Sequence, residues 1–348
     1  MTNNMKQRIL YWDVIKFFAI LLVVYGHAIQ NLNPVGRTLW DSFMETNILT
    51  FHMPLFMIVS GYFARSLFKK DIKETVKNKF VQLVIPSVTT YFITGVILIF
   101  LRHTPVVEGL KNLLGYCLSS YWFLKSLFIF YVLTSVLYLI ARRNVLLAIL
   151  FAALLLLLPT NILDYVHCIS MYPYFIVGLL LYKYEKKFFH NKKLIVIVSA
   201  LIYLILSYFY SPREYNMYDH HFDWNAEYLY LYVIRFIIGT SASFVCIILI
   251  RKLCMMFNGH KIIDLFAKIG TCTLGIYVFQ QNFMVAGKYY CVEFVRSINP
   301  FKDTAWEFIY YDYIFCFIWA IVVTIICTVM VLILRKTKYL RLILLGEK

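Results

Sequence analysis

The chain has 348 residues, of which 61% are hydrophobic and only 15% charged, and its formal net charge is +16. A soluble domain of this length is nearer half apolar and a quarter charged, so the composition excludes an ordinary cytosolic protein and predicts an all-α integral membrane protein. The length suits a single transmembrane domain over residues 1–348 with no separate soluble domain, and no polar segment carries the basic stripe with interleaved aromatics that a nucleic-acid partner would need.

Runs of about twenty apolar residues predict a bundle of about ten transmembrane helices. In chain order they are 9–29, 48–68, 80–101, 121–141, 145–158, 166–182, 194–210, 228–250, 265–284 and 308–334. The first run is too long for the core of a signal peptide and contains Asp13, Lys16 and His27. No small-residue cleavage site follows it, so it reads as a retained span. The intervening segments alternate in charge. One set holds Lys6 and Arg8, five lysines between 69 and 79, Arg142 and Arg143, five lysines between 183 and 193, Arg251, Lys252 and Lys261, and the basic residues from Arg335 to Lys348. The other set holds only Arg37, Arg102, Lys111, Arg213, Lys288, Arg296 and Lys302. By the positive-inside rule the first set and both termini face the cytoplasm, which assigns the chain to the cytoplasmic (inner) membrane as a multi-pass protein. The +16 is then explained by topology charges facing an anionic leaflet. Segments 31–47, 102–120, 211–227 and 287–307 form the longer outer loops.

Charged groups inside spans are expensive and are functional candidates for that reason. Asp13 and Lys16 are three positions apart and share a helix face. Lys16 and His27 are eleven apart, about 20° off one face and roughly 16 Å along the axis. One stripe of the first span therefore carries an ion pair toward the cytoplasm and a histidine toward the outside. His52 begins Phe51-His52-Met53-Pro54-Leu55-Phe56 and lies in the outer half of the second span. Pro54 is expected to disturb the helix there, and Ser60-Gly61 to admit a close neighbour. Lys16, Arg65 and Lys79 could hold a phosphate-bearing donor from the cytoplasmic side. A histidine at the far end could act as general base on an acceptor hydroxyl or take the acyl group itself. Trp122 and Tyr277 could stack on a sugar or an adenine, and Lys125, one turn from Trp122, could meet an anionic group of a lipid-linked acceptor.

These residues meet a family pattern. Tyr11-Trp12-Asp13-Val14-Ile15-Lys16, running into Tyr25-Gly26-His27-Ala28, resembles the first span of the acyltransferase family 3 membrane proteins, in which a basic residue and a histidine are separated by ten positions. Phe51-His52-Met53-Pro54-Leu55-Phe56 with Ser60-Gly61-Tyr62 resembles the second span of that family. Leu83-Val84-Ile85-Pro86, Tyr121-Trp122-Phe123-Leu124 and Leu274-Gly275-Ile276-Tyr277 resemble later ones. The resemblance implies a membrane-bound O-acetyltransferase of cell-surface carbohydrates, similar to fucose and O-antigen acetylases. It implies acetyl-CoA as co-substrate, with no permanently bound cofactor, and a surface or lipid-linked glycan as acceptor. His27 would be the catalytic residue, with Lys16 and Asp13 beside the donor passage, and Arg65 and Lys79 on the donor. His52, Trp122, Lys125 and Tyr277 would serve the acceptor or its positioning. Many members have two arginines spaced by two residues where this chain has Lys79-Phe80-Val81-Gln82, and many have a histidine where Gln280 stands here. Many also carry a C-terminal extracytoplasmic domain. Here the chain stops at Lys348, so the membrane domain is expected to reach the acceptor itself.

Two other readings compete. In one, Asp13, Lys16 and His27 form the path of a transporter or flippase. In the other, the charges of a non-catalytic subunit only set helix pairing. No metal is expected: the eight cysteines make no CxxC, and Asp219-His220-His221-Phe222-Asp223 lacks diagnostic ligand spacing.

Overall fold

The computed structural model describes residues 3–32, 42–65, 71–101, 121–141, 166–210, 226–301 and 306–347, with 109, 113, 144 and 304 as isolated positions. Every regular element among them is a helix. Six helices are long and apolar enough to cross a membrane: Leu10–Asn31, Ile72–Val96, Trp122–Ile140, Lys192–Phe209, Tyr230–Met256 and Glu307–Leu334. The pair Lys261–Gly270 and Thr273–Lys288, bent by 76°, makes a seventh if it is counted as one broken span. The expected spans 48–68 and 166–182 correspond to helices Phe43–Phe63 and Val166–Lys183, which stand outside those six. The expected span 145–158 lies outside the described residues, so among the described residues the count is six or seven rather than ten.

The chain divides into two compact units. The first comprises Met1–Phe63 and Pro173–Thr328, the second Ala64–Tyr172 and Val329–Lys348.

The first unit is organised around α1 (Asn3–Asn31), a 29-residue helix. Its apolar side chains Trp12, Ile15, Ala19, Ile20, Val23, Val24 and Ala28 are buried almost completely. They pack against α2 (Phe43–Phe63), α9 (Ala226–Met256), α10 (Lys261–Gly270) and α11 (Thr273–Tyr290). Glycine decides two of the close approaches. A Cβ at Gly61 of α2 would run into the Phe175 carbonyl of α6 (Val166–Lys183), and one at Gly178 of α6 would run into the Ile58 carbonyl. The expected close neighbour of Ser60-Gly61 is thus the backbone of another helix, a small-residue crossing of the kind that membrane bundles use. A Cβ at Gly270 would likewise meet the Asp13 carbonyl. Pro54 remains inside α2. It has no N–H to give the Thr50 carbonyl, and Gly239 of α9 packs against that carbonyl.

In the second unit, α3 (Ile72–Lys79) runs through a π-helical turn, Phe80–Val84, into α4 (Ile85–Leu101). The turn ends two residues before Pro86, whose ring would clash with, and cannot donate to, a carbonyl four residues back, within the turn. α3 and this turn pack on α5 (Trp122–Ile140). Thr134 Oγ1 lies 3.1 Å from the Tyr172 hydroxyl. The Thr89 hydroxyl donates to the Ile343 carbonyl at 2.9 Å, tying α4 to the terminal helix Lys338–Leu345. Arg335 and Glu347 pair at 2.6 Å.

Candidate active site

α1 carries two polar stations. At the first, Lys16 Nζ lies 2.6 Å from Asp13 Oδ1 and 4.9 Å from the centre of the Phe63 ring. The expected i,i+3 ion pair is therefore made. Both side chains keep accessible surface, 25% for Lys16 and 13% for Asp13.

The second station lies near the other end of α1. His27 Nδ1 is 2.7 Å from Nε2 of Gln280, which projects from α11. Gln280 is 1% exposed and His27 is half-buried. Asn31 Nδ2 donates to the His27 carbonyl at 2.8 Å, which holds the last turn of the helix. His52 of α2 is buried, and its Nδ1 lies 2.6 Å from the Ile48 carbonyl. A carbonyl only accepts, so the proton sits on His52 Nδ1 and Nε2 keeps its lone pair. His52 is within electrostatic range of both His27 and Arg235. Arg235 of α9 is itself 4% exposed. Its carbonyl accepts the Tyr174 hydroxyl at 2.9 Å, which fixes the backbone that carries it. Tyr277 is buried on α11, one turn before Gln280. The first unit therefore brings His27, His52, Arg235 and Gln280 into one polar neighbourhood and keeps the Asp13–Lys16 pair about three turns away toward the N-terminus of the helix.

A set of buried acids adjoins this neighbourhood. Gln30 Nε2 donates to Glu45 Oε1 at 2.5 Å, and the Ser42 hydroxyl donates to Asp312 Oδ2 at 2.6 Å. The Tyr25 hydroxyl donates to the Asp312 carbonyl at 2.7 Å. Glu45 Oε2 has no hydrogen-bond partner and sits 3.4 Å from where a Cβ on Gly26 would stand. Sequence reasoning left these acids out because it placed Glu45 in an outer loop. An aspartate inside the last apolar run was the signal available.

In the second unit, Lys79 Nζ donates to Gln82 Oε1 at 2.8 Å and lies 4.0 Å over the Tyr131 ring. The two polar ends of Lys79-Phe80-Val81-Gln82 thus meet each other. Arg65 is exposed in a short 3₁₀ turn after α2. Trp122 opens α5 with its carbonyl accepting from Ser126 Oγ at 2.8 Å, and Lys125 is half-buried one turn on.

A cavity of about 680 Å³ opens in the first unit at the start of α1, lined in part by Tyr11, Glu185, Lys186, Phe189 and Arg251. The Arg251 guanidinium lies 3.6 Å from the centre of the Phe189 ring, and the Tyr11 hydroxyl donates to Glu185 at 3.3 Å. Among the described residues no group of three or more His, Cys, Asp or Glu side chains is placed to hold a metal. Residues 219–223 lie outside the described residues.

The sequence model of one family, the acyltransferase domain of acyltransferase family 3, matches residues 9–335 and so runs through both units. The nodulation protein NolL of Mesorhizobium japonicum is 30% identical over 189 residues, 51% of this chain and 48% of that protein. The nodulation protein NolL of Sinorhizobium fredii is 31% identical over 136 residues, 37% of each chain. The matches thus span about half or less of the length of these relatives. No solved structure matches the chain.

Proposed function

We propose that this chain, which belongs to acyltransferase family 3, is a multi-pass enzyme of the cytoplasmic membrane that carries an acetyl or other acyl group from cytoplasmic acyl-CoA to a hydroxyl of an extracytoplasmic or lipid-linked carbohydrate. The observation that carries the reading is the His27 imidazole, half-buried on α1 and held at Nδ1 by Gln280, with His52 near it and Arg235 near His52. A half-buried imidazole whose Nδ1 is engaged by an amide suits a general base when Nδ1 carries the proton and Nε2 is left open.

In this mechanism the acceptor hydroxyl gives its proton to His27 Nε2 as its oxygen bonds to the acyl carbon. The carbon–sulfur bond of the thioester then breaks, and the departing thiolate takes the proton from the imidazolium. Arg235 is proposed to supply the fixed positive charge that favours the oxyanion formed between those events. His52, its proton held on Nδ1 by the Ile48 carbonyl, offers Nε2 as an acceptor that orients the incoming hydroxyl. Tyr277 supports the same face of α11.

Asp13 and Lys16 order the donor passage from the inner end of α1. Arg65 and Lys79 are proposed for the donor phosphates on their charge and on the cytoplasmic side that the positive-inside pattern gives them. Trp122 and Lys125 are proposed for the acceptor on the same pattern, which puts them outside. Both termini face the cytoplasm and the full chain crosses ten times in this reading. It is tested by giving labelled acetyl-CoA to the purified protein in lipid nanodiscs with a membrane glycan fraction. Label should pass to glycan with release of free CoA, and neither should occur with His27→Ala. Transfer that persists in His27→Ala, shown to be folded, would remove His27 from the chemistry.

A further inference from the structure

The contact between His27 and Gln280 leaves one atom unaccounted for. Gln280 Nε2 faces His27 Nδ1 at 2.7 Å, while Gln280 Oε1 is buried with no hydrogen-bond partner. A buried polar atom without a partner costs about 1–3 kcal/mol, so its presence asks for an explanation. The two ends of an amide have nearly the same shape. Half a turn about its last bond exchanges Oε1 and Nε2 at His27, and leaves one unpartnered atom at the far end in either case. The two orientations therefore differ in what they offer the imidazole and little elsewhere.

That difference is chemical. With Nε2 toward His27, the amide N–H donates to Nδ1, so the imidazole proton must sit on His27 Nε2, and that nitrogen has no lone pair for a hydroxyl proton. With Oε1 toward His27, the amide accepts from Nδ1–H and the Nε2 lone pair is open. The imidazolium, which has N–H at both positions, also requires Oε1. From this geometry we infer that Gln280 is the positioning residue that sets where the proton resides on His27, its amide turning over to hold the base-competent tautomer and then the imidazolium. This deepens the acyl-transfer reading and rests on it, because it matters only if His27 moves a proton.

An amide performs this task without charge. A carboxylate there would accept from Nδ1–H in both states and would stabilise the imidazolium, making His27 basic at higher pH. The other groups facing His27 stay the same in such a comparison. They are His52 of α2, with Arg235 of α9 beside His52 in turn, and Glu45 of α2 beside Gly26. On α11, Tyr277 is buried one turn before Gln280 and Lys288 is exposed two turns beyond it, while α10 meets α1 at Asp13.

The test is the pH profile of acyl transfer by Gln280→Glu, Gln280→Leu, His27→Ala and the unaltered protein, with the ¹⁵N shifts of His27 recorded for each. For Gln280→Glu the acid limb should move up by about one pH unit or more. For Gln280→Leu the rate should fall roughly 10²-fold, and the ¹⁵N shifts should show a changed balance of the two tautomers. A silent His27→Ala beside an unmoved Gln280→Glu profile and unchanged His27 shifts in Gln280→Leu would overturn the inference about Gln280 while leaving His27 its role. An active His27→Ala would instead overturn the reading beneath it. Should Gln280→Glu fail to insert, the shifts in Gln280→Leu decide alone.

Discussion

The two ends of the polar stripe on α1 solve the problem of polar groups in a bundle differently. At the Asp13–Lys16 end, the two side chains satisfy each other within one turn of the same helix and keep accessible surface. At the His27 end the partners come from far along the chain. His27 meets Gln280, 253 positions away, and Ser42 meets Asp312, 270 positions away. Glu45 and Gln280 each keep a buried atom without a partner. A partly solvated i,i+3 pair contributes at most about 1 kcal/mol, whereas a buried group stripped of its partner costs about 1–3 kcal/mol. The His27 end is therefore held in place by the rest of the fold, as the proposed reaction requires of it.

Substitutions at the two ends should separate them, beginning with the largest effect. His27→Ala should lower acyl transfer by about 10²–10⁴-fold with the protein still inserted and folded, read as label on glycan per unit of purified protein. His52→Phe keeps an aromatic of similar size and removes the Nε2 acceptor. It should cost about 10–100-fold in kcat/KM while thermal stability changes little. Asp312→Leu leaves the Ser42 hydroxyl buried without its acceptor and should destabilise the first unit by about 1–3 kcal/mol, measured as a lower thermal midpoint in nanodiscs. Lys16→Met should change stability by less than about 1 kcal/mol and act chiefly on donor handling, seen as a raised KM for acyl-CoA with kcat within a few-fold. If Lys16→Met proved as damaging to kcat as His27→Ala, the division between a chemical end and an entry end would dissolve.

The Asp13–Lys16 end was the more legible in the sequence, and for the same physical reason. Asp13 and Lys16 are neighbours by helical spacing alone, so their 2.6 Å contact followed from position. The stripe from Lys16 to His27 was legible in the same way. What His27 touches was not, because residue 280 lies on another helix and only its place in a late motif marked it. Arg235 is a charge in an apolar run, yet no spacing rule ties it to His52. Gly61 was readable as a point of close approach, while its neighbour, the Phe175 carbonyl, is a matter of tertiary packing. Lys79 and Gln82 form a local pair at i,i+3, and their spacing alone was enough to bring them together. The bend of 76° between Lys261–Gly270 and Thr273–Lys288 breaks a run that apolar content alone presents as one straight span. Local periodicity reports a single helix; the partners across helices depend on how helices cross.

The central claim is that His27 of α1 performs the proton transfer. It is tested most directly by single-turnover transfer from labelled acyl-CoA, comparing the unaltered protein with His27→Ala in the same nanodiscs and with saturating donor. The account predicts that donor still binds and that the transfer step slows by about two orders of magnitude or more. A transfer rate within about threefold of the unaltered protein would contradict it.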